Sequence, residues 1–380
     1  MKKMVLWKVF NDIVSNIYLL RKNNNAAILA SSYDRCLILM THDGEIIEKR
    51  KIDSPIEIDA LVTIPVHEKT IDKIKYIIAG GGLRRGCIHI FNSSLTQLGR
   101  IDINRDTHTK ITFLRAFDIE NKDVLVIGTP KKFLFLDPQN VNILLEIKSD
   151  GIPKDALIYS SSYGTFTITA ETLTKYITVY TLSSDFTDVK MIHRFNVQSN
   201  PSFIDIIPLN DTQHIFVAEK TGLISLRKLN GEKIWARRIR ETIMWRRLMT
   251  HDIDNDGALE ILIGCQNGEN DLSRKNASTF AIFNAIDGSI KYKIFLPGWI
   301  KDFRIISLNE EKFVIIAAGK RLYSFRLSEN ELEEIHSCKF DKSVWRIDAI
   351  KIENKYYLCM GYIDGQIGFG SINQEGRIEL

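Results

Sequence analysis

The chain has 380 residues, 44% hydrophobic and 26% charged, with a formal net charge of +4. These are the values of an ordinary soluble globular protein, and no apolar stretch approaches the roughly 18 residues that a membrane helix needs. So mild a positive charge does not by itself imply a polyanionic partner, and five cysteines without a CxxC pair argue against a disulfide framework or a cysteine zinc site.

The first residues, Met1-Lys2-Lys3-Met4-Val5-Leu6-Trp7-Lys8, carry neither a sustained apolar run nor a small-residue cleavage site, so the expected location is cytoplasmic. Residues 4–10 read as a strand and match the pattern of Lys233-Ile234-Trp235-Ala236-Arg237-Arg238-Ile239 far downstream. Beyond them, apolar runs closing on small residues recur at 26–31, 75–80, 123–128, 165–170, 214–218, 259–264, 312–318 and 355–361. Helical periodicity is absent throughout. The fullest copy of the unit spans 244–294, where four short runs are separated by turn residues, the last turn being Ile286-Asp287-Gly288. That pattern predicts a four-stranded antiparallel meander. One such unit has two open edges and cannot bury both faces, so it needs copies of itself. A period of about 40–50 residues with four strands per repeat is the mark of a β-propeller. The fold class is therefore all-β: one propeller domain over 1–380 with eight four-stranded blades, seven being the alternative.

The hairpins His42-Asp43-Gly44, Leu229-Asn230-Gly231, Ile286-Asp287-Gly288 and Gln374-Glu375-Gly376 supply glycine where φ must be positive. The repeat at 156–197 lacks these glycine marks and has the faintest pattern. After Gly376 only Arg377-Ile378-Glu379-Leu380 remain, so the N-terminal strand is expected to complete the last blade and remove a free edge.

Asp252-Ile253-Asp254-Asn255-Asp256-Gly257-Ala258-Leu259-Glu260 places carboxylates at alternate positions, a glycine for the sharp turn and a ninth-position acid. A hard cation such as Ca²⁺ takes several oxygen ligands converging from a tight loop, which this spacing offers. The plain alternative is a turn whose Asp and Asn side chains bond their own backbone. The stretch 252–264 resembles the FG-GAP or VCBS repeat of integrin α-chain propellers and of intracellular scaffold propellers similar to those of the Bardet–Biedl complex. In metal-binding members the alternate acids hold Ca²⁺, which the resemblance places on Asp252, Asp254, Asp256 and Glu260. Two departures stand out: a single repeat keeps the acids, and Glu260 replaces the usual Asp. Ca²⁺ at this loop is the one cofactor considered.

In a propeller the second-to-third-strand turns share one face with the blade-to-blade connections. Sorted this way, that rim collects Arg84, Arg85, Lys131, Lys132, Lys320 and Arg321 from turns, and Arg246, Arg247 and Arg346 from connections. The opposite rim collects Asp43, Asp123, Asp252, Asp287, Glu353 and Glu375, among others. A ring of like charge focuses its field on the channel mouth. Trp245, Trp299 and Trp345 lie at three successive connections beside the basic rim, and Trp and Arg are the residue types enriched in binding hot spots. Rim packing between blades is the alternative for each Trp, and solvated surface for the charges.

Catalytic patterns are thin: GxSxG, P-loop, HExxH and clustered histidines are all missing, and Gly80-Gly81-Gly82 opens no helix. The resulting expectation is a non-catalytic scaffold. It docks a protein partner on the basic, Trp- and Arg-bearing rim, as a subunit of a larger complex. The alternative is a propeller that binds RNA or single-stranded DNA on the same rim, through phosphates and stacked bases. A quinone-dependent dehydrogenase is disfavoured because no catalytic constellation is visible.

Overall fold

The computed structural model describes residues 5–52, 60–63, 69–81, 86–103, 111–120, 122–209, 212–239, 242–267, 277–328 and 331–380. They form seven four-stranded sheets and one five-stranded sheet, each a meander of strands consecutive in the chain, apart from the closing strands of the last sheet. The protein is an eight-bladed β-propeller, blades numbered here in chain order. The second strands are Asn25–Ser32, Ile77–Gly81, Lys122–Thr129, Gly164–Thr172, Thr212–Glu219, Glu260–Asn267, Glu311–Ala318 and Lys355–Tyr362, matching the eight apolar runs. A central strand buried on both faces has no solvated side on which to place polar residues, which is why these runs are nearly continuous.

The ring closes as expected, with an addition. Val5–Lys8 pairs antiparallel with Gln366–Ile372 through Val5↔Phe369 to Lys8↔Gln366, and the short C-terminal strand Ile378–Glu379 pairs with the other end of the same strand. Both chain ends thus cover one edge, which would otherwise be a template for association.

Eight clusters of buried apolar residues sit one in each seam between neighbouring blades. The closing seam joins Val14, Ile17 and Leu19 of blade 1 to Ile350, Ile352 and Cys359 of blade 8. Stability therefore lives between blades, and truncating one such Leu or Ile to Ala costs about 2–5 kcal/mol.

The outer ends of the seams follow a size-complementary rule. Where the third turn of a blade has a glycine, an aromatic of the preceding blade fills the space: Trp7 over Gly44, Phe195 over Gly231, Trp235 over Gly288 and Phe313 over Gly376. Trp235 also donates its indole N–H to the Ala285 carbonyl at 2.9 Å. Where the turn lacks glycine, its own side chain fills the seam. Phe186 in blade 4 has φ 62° and is buried, and Val141 at φ 57° packs on Gly99 of the preceding blade. The faint fourth repeat is thus a complete blade, Ile152 to Asn196, using a large turn residue in place of glycine.

Candidate docking face and channel mouth

The inner strands are Val14–Lys22, Ala60–Thr63, Phe113–Ile119, Ile152–Ser161, Pro201–Leu209, Thr242–His251, Ile300–Leu308 and Val344–Ile352. Among the described residues, six carry a register shift near their start, and the residues just past it are Asn16, Asp155, Phe203, Arg247, Asp302 and Arg346. A bulge re-aims the side chains that follow it. Here it sets polar groups of blades 6, 7 and 8 side by side.

Across blades 6 to 8 these groups, joined by Arg304 and by Lys69 from the first-to-second-strand connection of blade 2, form a chain of ion pairs. Arg247 Nη1 lies 3.0 Å from Asp302 Oδ1, and Arg304 Nη1 lies 2.7 Å from the same oxygen. Arg304 Nε then reaches Asp348 at 2.9 Å, and Lys69 Nζ reaches it at 2.7 Å. Each Asp also staples the next blade: Asp302 accepts the Ile347 N–H at 3.2 Å, and Asp348 accepts the Leu19 N–H at 2.8 Å. Burial pushes the Asp302 carboxyl upward, but Arg304, Arg247 and Arg346 outweigh it and hold the pKa below the usual carboxylate value. Asp348 is lowered likewise, burial being outweighed by Lys69 and Arg304. On blades 3 and 4, Arg115 grips Asp155 with Nε–Oδ1 at 2.7 Å and Nη2–Oδ2 at 2.8 Å. There burial wins, and it raises the pKa of Asp155 and of neighbouring Asp205.

The blade 6–8 side has a cationic surplus. Among the described residues, Arg247, Arg304 and Lys69 pair only with Asp302 and Asp348, and Arg346 makes no ion pair. Its Nη1 donates to the Trp345 carbonyl at 3.1 Å. Among the described residues, Arg247 Nε, Trp345 Nε1 and Asn16 Nδ2 are buried without a hydrogen-bond partner. All three are donors, so what this arc lacks is acceptors.

Next to Arg346, the Lys301 ammonium stands 4.1 Å from the Trp345 ring centroid and 5.0 Å from that of Trp299. Trp345 is half-buried, whereas Trp299 is 50% exposed and presents its ring to solvent. Cation–π contact fixes this ledge.

On the same face, a cleft of about 750 Å³ opens across blades 3 to 5. Phe113, Ile152, Pro153, Pro201 and Phe203 give it apolar walls, and Lys154 and Lys220 stand at its rim. Its one lining acid, Asp155, is tied to Arg115. Leu173, 68% exposed at φ 71°, projects from the turn beside the lining residue Thr172.

The predicted rim residues divide. Arg84 and Arg85 lie outside the described residues, as do the side chains of Trp245 and Arg246. Lys131, Lys320 and Arg321 are exposed at second-to-third-strand turns, while Lys132 is half-buried with Nζ 2.8 Å from Glu146. Arg247 is a correction. It stands not on an exposed connection but on the inner strand of blade 6, with its guanidinium against buried Asp302. The inner strands begin within stretches that read as connections, because beside the channel they carry charge instead of apolar residues.

On the opposite face, acceptor oxygens of Asp252, Asp254 and Glu260 lie within 4.8 Å of one another. Glu260 is buried, Asp252 half-buried, and Asp254 and Asp256 exposed. Glu260 Oε2 accepts the Ile253 N–H at 3.0 Å, and Asp252 Oδ2 accepts the Gly257 N–H at 3.1 Å. Lys291, from the outer strand Ile290–Leu296, enters this group with Nζ 2.6 Å from Glu260 Oε1, 2.7 Å from Asp254 Oδ2 and 3.6 Å from Asp256 Oδ2. The sequence gives no local sign of it, since Lys291 follows Glu260 by 31 residues.

No protein-family model and no curated protein matches the chain. Solved structures do. The chain is similar to Sqt1 of Saccharomyces cerevisiae (TM-score 0.71, 10% identity, covering 96% of this chain and 97% of that one). It is also similar to the C-terminal WD40 domain of Sif2 (TM-score 0.65, 10% identity, 96% and 100% covered). A third likeness is to BBS1N, solved in complex with ARL6DN (TM-score 0.53, 12% identity, 99% of both chains covered). At such identities the likeness shows the propeller fold alone, and it does not favour an FG-GAP or VCBS repeat type.

Proposed function

We propose that this propeller is a non-catalytic scaffold that docks an acidic, partly apolar segment of a partner protein at the channel mouth on its basic face. What supports the reading is one face that combines an apolar-walled cleft rimmed by Lys154 and Lys220 with an arc of donors lacking acceptors at Arg247, Trp345 and Asn16. An extended segment would seat aliphatic or aromatic side chains in the cleft and turn its carboxylates toward the lysines, Arg346 and the Trp299 ledge. Rigid aromatic and Arg groups at the centre of a patch are the usual source of binding energy, with rim charges adding association rate and specificity. BBS1N is itself solved with ARL6DN, so docking a protein is a use to which this architecture is put.

Binding of immobilised peptides tests the reading, using Asp/Glu-rich sequences with interspersed Phe and Leu, neutral scrambles, and a single-stranded oligonucleotide. The acidic peptide is expected to bind, with salt acting mainly on its association rate. Lys154→Glu combined with Lys220→Glu should weaken it at least tenfold without changing the thermal midpoint, as exposed substitutions shift stability by only about 0.5 kcal/mol. Tighter binding of the oligonucleotide, with affinity falling about one log unit per log unit of salt for each phosphate contacted, would replace this reading with the nucleic-acid one. Unchanged peptide binding by the double variant would refute the cleft.

A further inference from the structure

The acidic loop of blade 6 has the carboxylate spacing of a divalent-cation loop, and its side chains do converge, yet a cation of the chain's own stands among them. A Ca²⁺ ion would lie about 2.3–2.6 Å from each ligand oxygen. Lys291 Nζ already stands 2.6 Å from Glu260 Oε1 and 2.7 Å from Asp254 Oδ2, so the two cations compete for one position. We propose that the Lys291 ammonium is the resident cation of this loop, and that Asp252, Asp254, Asp256 and Glu260 are a latent Ca²⁺ site which loss of Lys291 would open.

Two observations besides the spacing support this. Glu260 is fully buried, and a buried carboxylate requires a paired charge or hydrogen bonds; it has the Lys291 ammonium on one oxygen and the Ile253 N–H on the other. Asp252 Oδ1 is buried without a hydrogen-bond partner among the described residues, and Asp252, which the ammonium does not pair with, offers a carboxylate oxygen within 4.8 Å of those of Asp254 and Glu260, as a divalent cation requires. Geometrically the lysine does what the ion does in such loops. It ties the first turn of the blade to its outer strand, Ile290–Leu296, from within the chain and independently of calcium concentration.

The test is calcium titration of the wild-type protein and of Lys291→Met, which keeps most of the aliphatic stem and removes the charge. Wild type is expected to show no calorimetric heat and no movement of its melting temperature between EDTA and millimolar Ca²⁺. Lys291→Met should melt lower in EDTA and recover with Ca²⁺, but not with NaCl of equal ionic strength, at a Kd of about 10⁻⁴–10⁻³ M. Adding Asp254→Asn to Lys291→Met should abolish that recovery. If Lys291→Met does not fold in EDTA, refolding from urea with and without Ca²⁺ reads the same exchange: recovery only with Ca²⁺ supports the assignment, and recovery in neither overturns it. Calcium binding by wild type with comparable affinity, or indifference of Lys291→Met to both lysine loss and Ca²⁺, would also overturn it.

Discussion

Replacing Asp302 by Ala is the sharpest probe of what holds the seams closed at the channel. The carboxylate is almost wholly buried, pairs with Arg247 at 3.0 Å and Arg304 at 2.7 Å, and accepts the Ile347 N–H of the next blade at 3.2 Å. Alanine leaves two guanidinium groups short of a counter-charge and one backbone donor unsatisfied. Breaking a buried pair from one side costs about 3–5 kcal/mol, a fifth or more of the roughly 5–15 kcal/mol that stabilises a typical domain. Urea unfolding followed by tryptophan fluorescence measures this as a lower midpoint at unchanged slope. The pH dependence gives a second reading. The folded-state pKa of Asp302 is depressed, so its contribution is fully present above the ordinary carboxylate value of about 3.9 and is lost as pH falls through the folded value. The gap between wild type and Asp302→Ala should therefore be widest near neutrality and narrow below about pH 4. A loss under 1 kcal/mol at neutral pH, or a gap that persists undiminished into acid, would refute the claim that this ion chain stabilises the ring.

Removing residues 1–10 should strip the Gln366–Ile372 strand of its Val5–Lys8 partner and lift Trp7 off Gly44, lowering both melting temperature and solubility; unchanged values would mean that Ile378–Glu379 closes the edge unaided. Gly288→Ala should cost about 1–3 kcal/mol, because φ is +69° and the new Cβ would meet the Trp235 ring at 2.5 Å, and a melting curve matching wild type would show that the seam can give way. Arg247→Glu should destabilise the fold by placing a carboxylate against Asp302, whereas Lys320→Glu should leave it unchanged, and equal melting temperatures would contradict the channel placement of Arg247.

The eight second strands were legible because a strand buried on both faces leaves a nearly continuous apolar run ending in small residues, as in Glu260–Asn267. N-terminal closure was legible from the match between residues 4–10 and 233–239. The inner strands were legible only in blade 6, where the four-run unit begins at 244. Ile300-Lys301-Asp302-Phe303-Arg304 and Val344-Trp345-Arg346-Ile347-Asp348 read as polar connections, yet they are strands whose charges pair across blades. A pattern of opposite charges two residues apart, as in Asp302 with Arg304 and Arg346 with Asp348, was the available signal. Lys291 could not be foreseen, since only the meander brings the outer strand back beside the acidic loop. The cleft of blades 3 to 5 was equally hidden, being assembled from three blades by ring curvature.

The central claim, that the basic face is the docking face, is tested most directly by hydrogen exchange of the intact protein with and without a bound Asp/Glu-rich peptide carrying Phe and Leu. The account predicts slowed exchange at 130–132, 172–175, 199–202 and 219–222, the turns and connections around the cleft, and none at the opposite face. Protection at 252–258 or at the turn around Gly288, with the cleft turns unaffected, would contradict it.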